Sequence, residues 1–570
     1  MYYLKLFMKK IINNIKLALR KTVPKCIRIV RENVYIDIMS LLGRRTTLTI
    51  KEFPIDVYGK NAFFSHPFIS HKTKNGVDNY CAQIYGSEFA VDYAVSKRSY
   101  INFTSEIVKG DITRGKSNIY VDCDSLLPIS IIDKISDNSD GKLKIVSKNS
   151  QYKFGSLKKN RFHYIPVKGD SDINVLSKDK YIIGKPIPTK SKLNKPRKKL
   201  VLAMFIDGLS SKVVNSDTFH KLMPNTSKYF DNGLLSFDGY SSSNWTLPSV
   251  ASLFSGLYPK NHKMNDGGKV LRLGEDYKII SEFFSDEGYL TGQICSNFRK
   301  NPGYNYVKGF DRMLYRNNMR CEEVITNAID HLNAFKQRDN FLWLTLFDAH
   351  HLLSGVPDIS IQSKMDISLH DYSFSSEKSI HACYEPRKIE LYKLDLERID
   401  LYLGILFNHI KDNYKDDDVL VSLCSDHGRG FLGESGDLLA EHRVKVPMLF
   451  KSNNKNDIDF NGFSQGVDFL PTLLSLAGID HNHNFDGRDL TKVKPEYSLS
   501  EVIYPNDYYR ATIFDKKHIF NCVSNNKIKT QDDIDYDDCI YELIDANNMS
   551  KVNRNDKSLI EKYKKIIKSH

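Results

Sequence analysis

The sequence predicts an α/β protein in which a doubly wound sheet domain follows a smaller β-rich domain. The first part of this prediction rests on three continuous apolar runs, which are typical of strands buried on both faces of a parallel sheet. They are Leu200–Ile206, 341–347 and Val419–Cys424. Helical patterns separate the runs, including a long one over 387–410. Strands that alternate with helices in this way indicate a sheet covered by helices on both faces.

Composition and length are those of a globular protein with several domains. Of the 570 residues, 41% are hydrophobic and 26% are charged. At about 150 residues per domain, the length predicts roughly two to four domains. The nine cysteines are scattered and include no Cys-x-x-Cys pair, so they indicate neither a disulfide framework nor a zinc site. The predicted segments are a basic amphipathic helix at 1–31, a β-rich accessory domain at 45–183, a linker at 184–199, a catalytic domain at 200–555 and a basic helix or tail at 556–570.

Positive charge is concentrated at the amino terminus. The formal net charge is +13, and residues 1–50 contain eleven Lys or Arg against two acidic residues. Apolar residues from Leu4 to Leu19 share one helical face and basic residues share another, until Pro24 ends the pattern. This pattern predicts a helix on an anionic membrane surface or, alternatively, a helix packed on its own protein. Because the rest of the chain is nearly neutral, nucleic acid is not an expected partner.

Membrane-spanning and export signals are not expected. No stretch reaches the roughly 18 apolar residues of a transmembrane helix, and the amino terminus lacks the uninterrupted apolar core of a signal peptide. We therefore expect a cytoplasmic protein that is peripheral at the membrane.

The region before the sheet domain has the pattern of short strands and turns. Its short apolar runs are broken by Gly, Asn, Asp and Ser. Segment 184–199 then combines three prolines with seven basic residues and no acid. Since neither strand nor helix tolerates that density of proline and like charge, the segment is predicted to be an interdomain linker.

Polar residues that can bind a metal follow each of the three apolar runs. In an open α/β sheet, ligands bind beyond the carboxyl ends of the strands, so these side chains are expected to converge. Clustered carboxylates repel one another, and a divalent cation relieves the repulsion. Carboxylates with imidazole suit Zn²⁺ or Mn²⁺, and carboxylates alone suit Mg²⁺ or Ca²⁺. The residues are Asp207, Asp348, His350, His351, Asp426 and His427.

Thr246 is the candidate nucleophile. It stands two residues before Pro248 and a helical pattern, which predicts that it lies just ahead of a helix N-terminus, where an anion is favoured. A threonine hydroxyl becomes a good nucleophile when a base or a metal lowers its pKa. In the alternative reading, Thr246 is a simple N-cap, and Asp207 and Asp426 cap helices beyond their strands.

Several ordered motifs in the second half of the chain resemble the alkaline phosphatase and sulfatase superfamily, in particular its sulfatase-like hydrolases and transferases. The motifs are IDG at 206–208, TLPSVASLFSGLYPKNH from Thr246, FDAHH from Phe347, SDHG from Ser425 and KVPMLF from Lys445. The resemblance covers about residues 199–550 and implies an alkaline-phosphatase-like sheet domain.

The resemblance also implies roles for individual residues. Asp207, Thr246, Asp426 and His427 match the ligands of a divalent metal, which would be Zn, Mn, Mg or Ca. Thr246 also matches the nucleophile that forms a covalent intermediate, and His350 matches the histidine that binds the substrate oxyanion.

A second metal, or further contacts to the substrate, would need additional ligands. Asp348, His351 and His442 are the local candidates for that role. His442 matches the pattern loosely, because its distance from Pro447 does not align well.

Two departures from the sulfatase pattern bear on the substrate. Sulfatases need Cys or Ser at the nucleophile position, for oxidation to formylglycine, and an Arg four residues later; this chain has Thr246 and Val250. Where sulfatases repeat the first acid, this chain has Gly208. These departures favour relatives with a Thr nucleophile, which act on phosphodiesters or transfer phosphoethanolamine or phosphoglycerol.

The expected function is therefore that of a metal-dependent phosphoester hydrolase or transferase. Its substrate is expected to carry a phosphodiester or a phospho-substituent, on a surface polysaccharide or glycolipid. One alternative is a sulfuric ester hydrolase that works without formylglycine. A second alternative is a non-catalytic, membrane-associated or glycan-binding protein that retains the fold.

Overall fold

The computed structural model describes residues 69–73, 76–85, 104–132, 141–147, 150–191, 196–266, 271–300, 302–350, 382–453, 460, 462–550 and 557–570. The amphipathic helix predicted at 1–31 and His351 lie outside these residues. Within the described ranges, no helix has the length and apolar character needed to cross a bilayer.

Nine of the described strands precede the predicted catalytic domain. They are β1 (Ile69–Thr73), β2 (Gly76–Tyr85), β3 (Thr104–Val121), β4 (Ser125–Ile132), β5 (Gly141–Ser147), β6 (Ser150–Leu157), β7 (His163–Val167), β8 (Ser171–Gly184) and β9 (Ile187–Pro188). Strand β8 pairs antiparallel with β3, β4 and β5. Apolar residues from β4, β5, β7 and β8 share one core, as expected for a sheet with one buried face.

The segment that the sequence predicts as a linker is attached to both neighbouring regions. Ile187 and Pro188 pair with β4, although no strand was expected there. Among the described strands, β9 pairs with β4 alone, and an edge position of this kind tolerates a proline, which has no N–H to donate. Further along, Arg197 Nε donates to Asp339 Oδ2 at 2.7 Å.

The main sheet continues with eight further strands. They are β10 (Leu200–Ile206), β11 (Leu234–Tyr240), β12 (Leu290–Cys295), β13 (Arg312–Tyr315), β14 (Asn340–Leu346), β15 (Val419–Cys424), β16 (Lys445–Ser452) and β17 (Ser464–Gln465). Strands β13, β12, β14, β10 and β15 lie side by side in that order and are parallel. Strand β16 adds to β15 antiparallel, and β11 adds to β16.

Strand β3 connects the amino-terminal strands to the parallel strands. Its residues 105–108 pair with β13 at the edge of the parallel strands, and its residues 110–121 pair with β8. The hydrogen-bonded sheet therefore runs across the boundary predicted near residue 184. The domain limits themselves remain predictions.

Helices cover both faces of the parallel strands. The described helices are α1 (Phe219–Leu222), α2 (Pro224–Tyr229), α3 (Thr246–Ser255), α4 (Pro259–His262), α5 (Ile280–Asp286), α6 (Cys321–Ala334), α7 (Pro386–Asn413), α8 (Glu441–Val444), α9 (Phe469–Leu476) and α10 (Lys557–Ser569). Odd-numbered residues of β10 pack with α3, α5 and α9, and even-numbered residues pack with α6 and α7. This confirms the predicted α/β class and the doubly wound sheet, which is mixed because β16 runs antiparallel to both β15 and β11.

A separate antiparallel sheet lies near the carboxyl terminus of the sequence. It contains β18 (Tyr497–Val502), β19 (Asp507–Asp515), β20 (His518–Ile528) and β21 (Cys539–Asp545). Helix α10 packs on this sheet through Tyr563 and Ile567.

Candidate active site

The predicted catalytic side chains lie beyond the carboxyl ends of the parallel strands. Asp207 follows β10, His350 follows β14, and Asp426 and His427 follow β15. Thr246 is the first residue of α3. Because parallel strands end at the same edge of a sheet, residues more than 200 positions apart in sequence meet here.

The hydroxyl of Thr246 faces an imidazole and a carboxylate. Its Oγ1 lies 3.2 Å from His427 Nε2 and 3.5 Å from Asp207 Oδ2. The N-cap position of α3 belongs to Trp245, and no side chain caps the helix. The alternative reading of Thr246 as a simple N-cap is therefore wrong.

Asp207 is the centre of the cluster. His350 Nε2 and His427 Nε2 each lie 3.7 Å from its Oδ1, while Asn297 Nδ2 donates to its Oδ2. Lys300 Nζ lies 3.5 Å from the same Oδ2. Burial alone would raise the pKa of Asp207, but the positive groups around it outweigh burial and lower that pKa. Asp207 is therefore held as a carboxylate.

Asp426 is the second buried carboxyl group. Its Oδ1 accepts the backbone N–H groups of Gly208 and His427, both at 3.1 Å. Burial and the nearby charge of Asp207 raise the pKa of Asp426. Among the described residues, Asp426 Oδ2 and Asp207 Oδ1 have no hydrogen-bond donor. Two buried carboxylate oxygens without donors are costly, and a bound cation would relieve that cost.

The donor set around Asp207 fits a divalent metal. One ligand atom each from Asp207, His350 and His427 lies within 4.8 Å of the others. His427 Nδ1 lies 2.7 Å from the Gly428 carbonyl oxygen, so Nδ1 carries the hydrogen and Nε2 presents its lone pair to the cluster. Oxygen and imidazole donors together suit Zn²⁺ or Mn²⁺.

Asp348 belongs to a different cluster. Its Oδ1 accepts from Arg398 Nη1 at 2.8 Å and from the backbone N–H of Cys321 at 3.2 Å. Arg398 also pairs with Glu322. The three potential ligands Cys321, Glu322 and Asp348 lie close enough to hold a metal, but the two acids already pair with arginines. Arg398 contacts both of them, and Arg320 Nε lies 3.1 Å from Glu322 Oε1.

His442 approaches the site through its backbone. Its carbonyl oxygen accepts the Arg429 N–H at 2.9 Å. Burial, with the charges of Arg443 and Lys212, lowers the pKa of the His442 imidazole to about 4. In the described part of the chain, no hydrogen bond or ion pair joins this imidazole to Asp207 or Asp426.

Comparison with known proteins supports the resemblance. Residues 199–479 match the sulfatase family profile. The chain carries a sulfatase-family domain. The superfamily resemblance predicted from the sequence motifs is thereby confirmed.

Relatives of the sulfatase-family domain are distant. The "multifunctional alkaline phosphatase superfamily protein PehA" of Trinickia caryophylli is 27% identical over 170 residues, which cover 28% of this chain and 30% of PehA. The match thus spans less than a third of PehA. Among solved structures, the yidJ protein of Bacteroides fragilis, which is assigned as a sulfatase, aligns with a TM-score of 0.50. It is 17% identical, and the alignment covers 66% of this chain and 95% of yidJ. At that identity, the similarity shows the fold alone.

Three site residues of the sulfatase-family domain were missed by the sequence analysis: Asn297, Lys300 and Arg429. Asn297 and Lys300 follow β12, whose run Leu290–Cys295 contains Thr291 and Gln293 and therefore lacks the continuous apolar signal. Arg429 directly follows the SDHG motif, so its position was the available signal.

Proposed function

We propose that the sulfatase-family domain is a metal-dependent hydrolase or transferase of phosphoesters, with Thr246 as its nucleophile. The observation that carries this proposal is the position of Thr246 Oγ1, 3.2 Å from His427 Nε2 and 3.5 Å from Asp207 Oδ2. A hydroxyl in such surroundings can lose its proton and attack phosphorus. The substrate would carry a phosphate ester, for example a phosphoethanolamine or phosphoglycerol substituent, on a glycan or glycolipid.

Two of the three clustered donors, Asp207 and His427, would hold a divalent cation together with Asp426, whose Oδ2 lies 3.4 Å from His427 Nε2; the third, His350, would remain for the substrate. The cation would lower the pKa of the Thr246 hydroxyl and neutralise phosphoryl oxygens. Thr246 Oγ1 forms a bond to phosphorus as the bond to the leaving oxygen breaks. The hydroxyl proton of Thr246 passes to water as that bond forms, and the leaving oxygen takes up a proton from water. A water molecule or a sugar hydroxyl then attacks phosphorus and gives up its proton, while the bond from phosphorus to Thr246 breaks and Thr246 Oγ1 is protonated again.

His350 and helix α3 would stabilise charge on the group in transfer. His350 Nε2 lies 3.7 Å from Asp207 Oδ1, on an imidazole that stacks against Phe347 with ring centroids 4.7 Å apart. Stacking fixes the ring, so its N–H can be directed at a non-bridging oxygen. Thr246 stands at the first turn of α3, where unpaired backbone N–H groups favour an anion.

A sulfatase that works without formylglycine is the second candidate. It is favoured by the family match at 199–479 and disfavoured by the threonine at position 246, which cannot be oxidised to formylglycine. The third candidate, a binding protein without activity, would retain the cluster but turn over no ester.

One assay separates the three candidates. The full chain is tested on an aryl phosphate, a bis-aryl phosphate and an aryl sulfate, with and without EDTA, beside Thr246→Ala and Thr246→Ser. We expect turnover of a phosphate ester that EDTA abolishes, that Thr246→Ala lowers about a thousandfold or more, and that Thr246→Ser partly retains. Sulfate turnover with silent phosphates would favour the second candidate. No turnover of any ester by metal-bound protein would favour the third.

We also propose that residues 1–31 attach the protein to an anionic membrane surface. The support is the concentration of eleven Lys or Arg residues within residues 1–50. Deletion of 1–31 should abolish most sedimentation with vesicles of anionic lipid at low salt and leave ester turnover in solution unchanged. Equal sedimentation of the deleted and full chains would contradict this proposal.

A further inference from the structure

A basic cavity lies between the amino-terminal strands and the sulfatase-family domain. Its volume is about 190 Å³, more than ten times the roughly 10–15 Å³ that a single buried water needs. Lys109 of β3 and Lys185, which directly follows β8, line the cavity from the amino-terminal region. Asp311 and Arg338, which precede β13 and β14, line it from the sulfatase-family domain. The cavity is therefore built by both regions together.

Arg338 is a buried guanidinium whose charge the fold compensates only in part. The residue is 8% exposed. Its Nη1 donates to the Lys190 carbonyl and its Nη2 to the Gly288 carbonyl, at 3.3 Å and 3.2 Å. Its Nε has no hydrogen-bond acceptor among the described residues. Burial outweighs the attraction of Asp311 and Asp339 and lowers the pKa of Arg338. A buried charge of this kind is costly until an anion compensates it.

The acids nearest the cavity already pair with other basic groups. Lys109 Nζ lies 3.0 Å from Asp311 Oδ1 and 3.9 Å from Asp78 Oδ2. Burial alone would lower the pKa of Lys109, but these carboxylates raise it above its usual range. Asp339 pairs with Arg197 at 2.6 Å. Three basic side chains and one acidic side chain line the cavity, so its lining keeps two formal positive charges.

Arg338 and Lys185 are the two cations that remain available to a ligand. Neither of them has a carboxylate within ion-pair distance in the described part of the chain. Lys185 is exposed, and apolar surface from Pro186, Ile187 and Tyr289 lines the cavity beside it. Cations next to an apolar wall suit an oxyanion attached to a ring, because the ring can pack against the wall while the oxyanion accepts hydrogen bonds.

The cavity is remote from the proposed catalytic cluster. It lies at the amino ends of the parallel strands, whereas Thr246 and Asp207 lie beyond their carboxyl ends. Strands β12 and β14 have six and seven residues, and at about 3.3 Å per residue they separate the two places by about 20 Å. A ligand in the cavity would therefore not touch the proposed nucleophile.

We propose that this cavity is a second, non-catalytic binding site for a sugar that carries a phosphate or sulfate group. Arg338 and Lys185 bind the anionic group, and the apolar wall covers the ring. The site goes beyond the proposed reaction and does not depend on it. Because Lys109 and Lys185 come from the amino-terminal region, the site gives that region a role in holding an anionic glycan.

The test measures binding to the full chain by calorimetry at low salt. The chain carries Thr246→Ala and EDTA is present, so that neither turnover nor a cation at the catalytic cluster contributes. The probes are glucose 6-phosphate, glucose 6-sulfate, inorganic phosphate and glucose. Both anionic sugars should bind, and glucose should not. Inorganic phosphate should bind at least about threefold more weakly than glucose 6-phosphate, because it has no ring to pack against the apolar wall.

Two variants remove the proposed contacts. Arg338→Gln should weaken both anionic sugars by roughly 10- to 100-fold, the loss expected for hydrogen bonds to a charged group. Lys185→Glu reverses an exposed charge and should weaken them by about tenfold or more. The matched control is Lys116→Glu, the same charge change on an exposed lysine of β3 outside the cavity. It lies about 23 Å along the strand from Lys109, beyond the range of unscreened attraction, and should change affinity by less than about threefold.

Thermal unfolding verifies that each variant is folded. If Arg338→Gln does not fold, the exposed pair Lys185→Glu and Lys116→Glu decides the question alone. Equal weakening by those two variants, or affinity for the anionic sugars that survives Lys185→Glu, would overturn the proposal. It would also be overturned if neither anionic sugar binds, or if inorganic phosphate binds as tightly as glucose 6-phosphate.

Discussion

Buried charged groups are paired at the amino end of strand β10, whereas buried carboxylate oxygens at its carboxyl end have no hydrogen-bond donor among the described residues. At the amino end, Arg197 Nε donates to Asp339 Oδ2 at 2.7 Å, and Lys198 Nζ donates to the Asp417 carbonyl at 2.8 Å. At the carboxyl end, Asp207 Oδ1 and Asp426 Oδ2 have no donor among the described residues. One end of the strand uses its charges to hold the fold together. The other end keeps charges available for ligands, at a cost in stability that functional sites commonly carry.

We therefore expect residues at the amino end of β10 to contribute to stability and residues at its carboxyl end to contribute to activity. Substitutions at the carboxyl end should remove activity at little cost to the free energy of unfolding. Substitutions at the amino end should do the reverse.

The largest effect is expected for Asp426→Asn. The variant keeps the shape of the side chain but removes a carboxylate that the proposed cation needs, so turnover should fall about a thousandfold or more. Because burial and Asp207 raise the pKa of Asp426, its charge destabilises the metal-free fold. The thermal midpoint in EDTA should therefore stay the same or rise. A large fall in that midpoint, or unchanged turnover, would contradict the expectation that this end of β10 serves activity and not stability.

Asp339→Ala tests the amino end. It leaves the buried Arg197 without its carboxylate, which should lower the free energy of unfolding by about 3–5 kcal/mol in urea titrations. Turnover per folded molecule should stay within about twofold. Lys199→Ala is the matched control, because Lys199 pairs with the same aspartate at 3.5 Å from a side chain that is 44% exposed. Such exposed pairs contribute at most about 1 kcal/mol, so an equal loss in both variants would contradict this account.

Asn297→Ala tests whether a residue at the carboxyl end of the parallel strands supports metal binding. Asn297 Nδ2 donates to Asp207 Oδ2 and so fixes a proposed ligand. Its removal should weaken Mn²⁺ binding by about 10- to 100-fold in a calorimetric titration. The control is Asn340→Ala at the start of β14, whose side chain donates to the carbonyls of Phe335 and Arg338. That variant should lose stability and keep its Mn²⁺ affinity.

The smallest effect distinguishes two buried aspartates of α7. Burial, together with Asp348, raises the pKa of Asp395 to about 8, whereas Asp400 accepts hydrogen bonds from the backbone and side chains of Asn225 and Thr226. Asp395 ionises near pH 4 in the unfolded chain but only near pH 8 in the fold, so it lowers stability progressively between about pH 4 and pH 8.

Asp395→Asn should therefore gain thermal midpoint over the native protein as the pH rises through that window, with the difference constant above it. Asp400→Asn should lose about 1–3 kcal/mol of stability at neutral pH, because donors are left unpaired. A gain for Asp395→Asn that shrinks with rising pH would contradict the assigned direction of the pKa.

Much of the fold and part of the site follow from local sequence. Asp207 stands directly after one continuous apolar run, and Asp426 and His427 stand within three residues of the end of another. Strands buried on both faces produce such runs. Thr246 was predictable because Pro248 marks the first turn of a helix.

The rest depends on pairings between distant residues. The sharing of β3 between two parts of the sheet requires residues 105–108 to meet β13, some 200 positions away, and no local pattern encodes that. Asp348 follows its strand as predicted, but Arg398 of α7 draws its carboxylate away from Asp207. Asn297 and Lys300 reach the site only because β12 lies beside β14.

The most direct test of the account is to trap the intermediate on Thr246. The full chain with Mn²⁺ is mixed with an aryl phosphate, quenched in acid during turnover and analysed by peptide mass spectrometry. We expect one added phosphoryl group on Thr246, absent in Thr246→Ala and absent with EDTA. Turnover without any phosphoryl group on Thr246, or with the group on another residue, would contradict it.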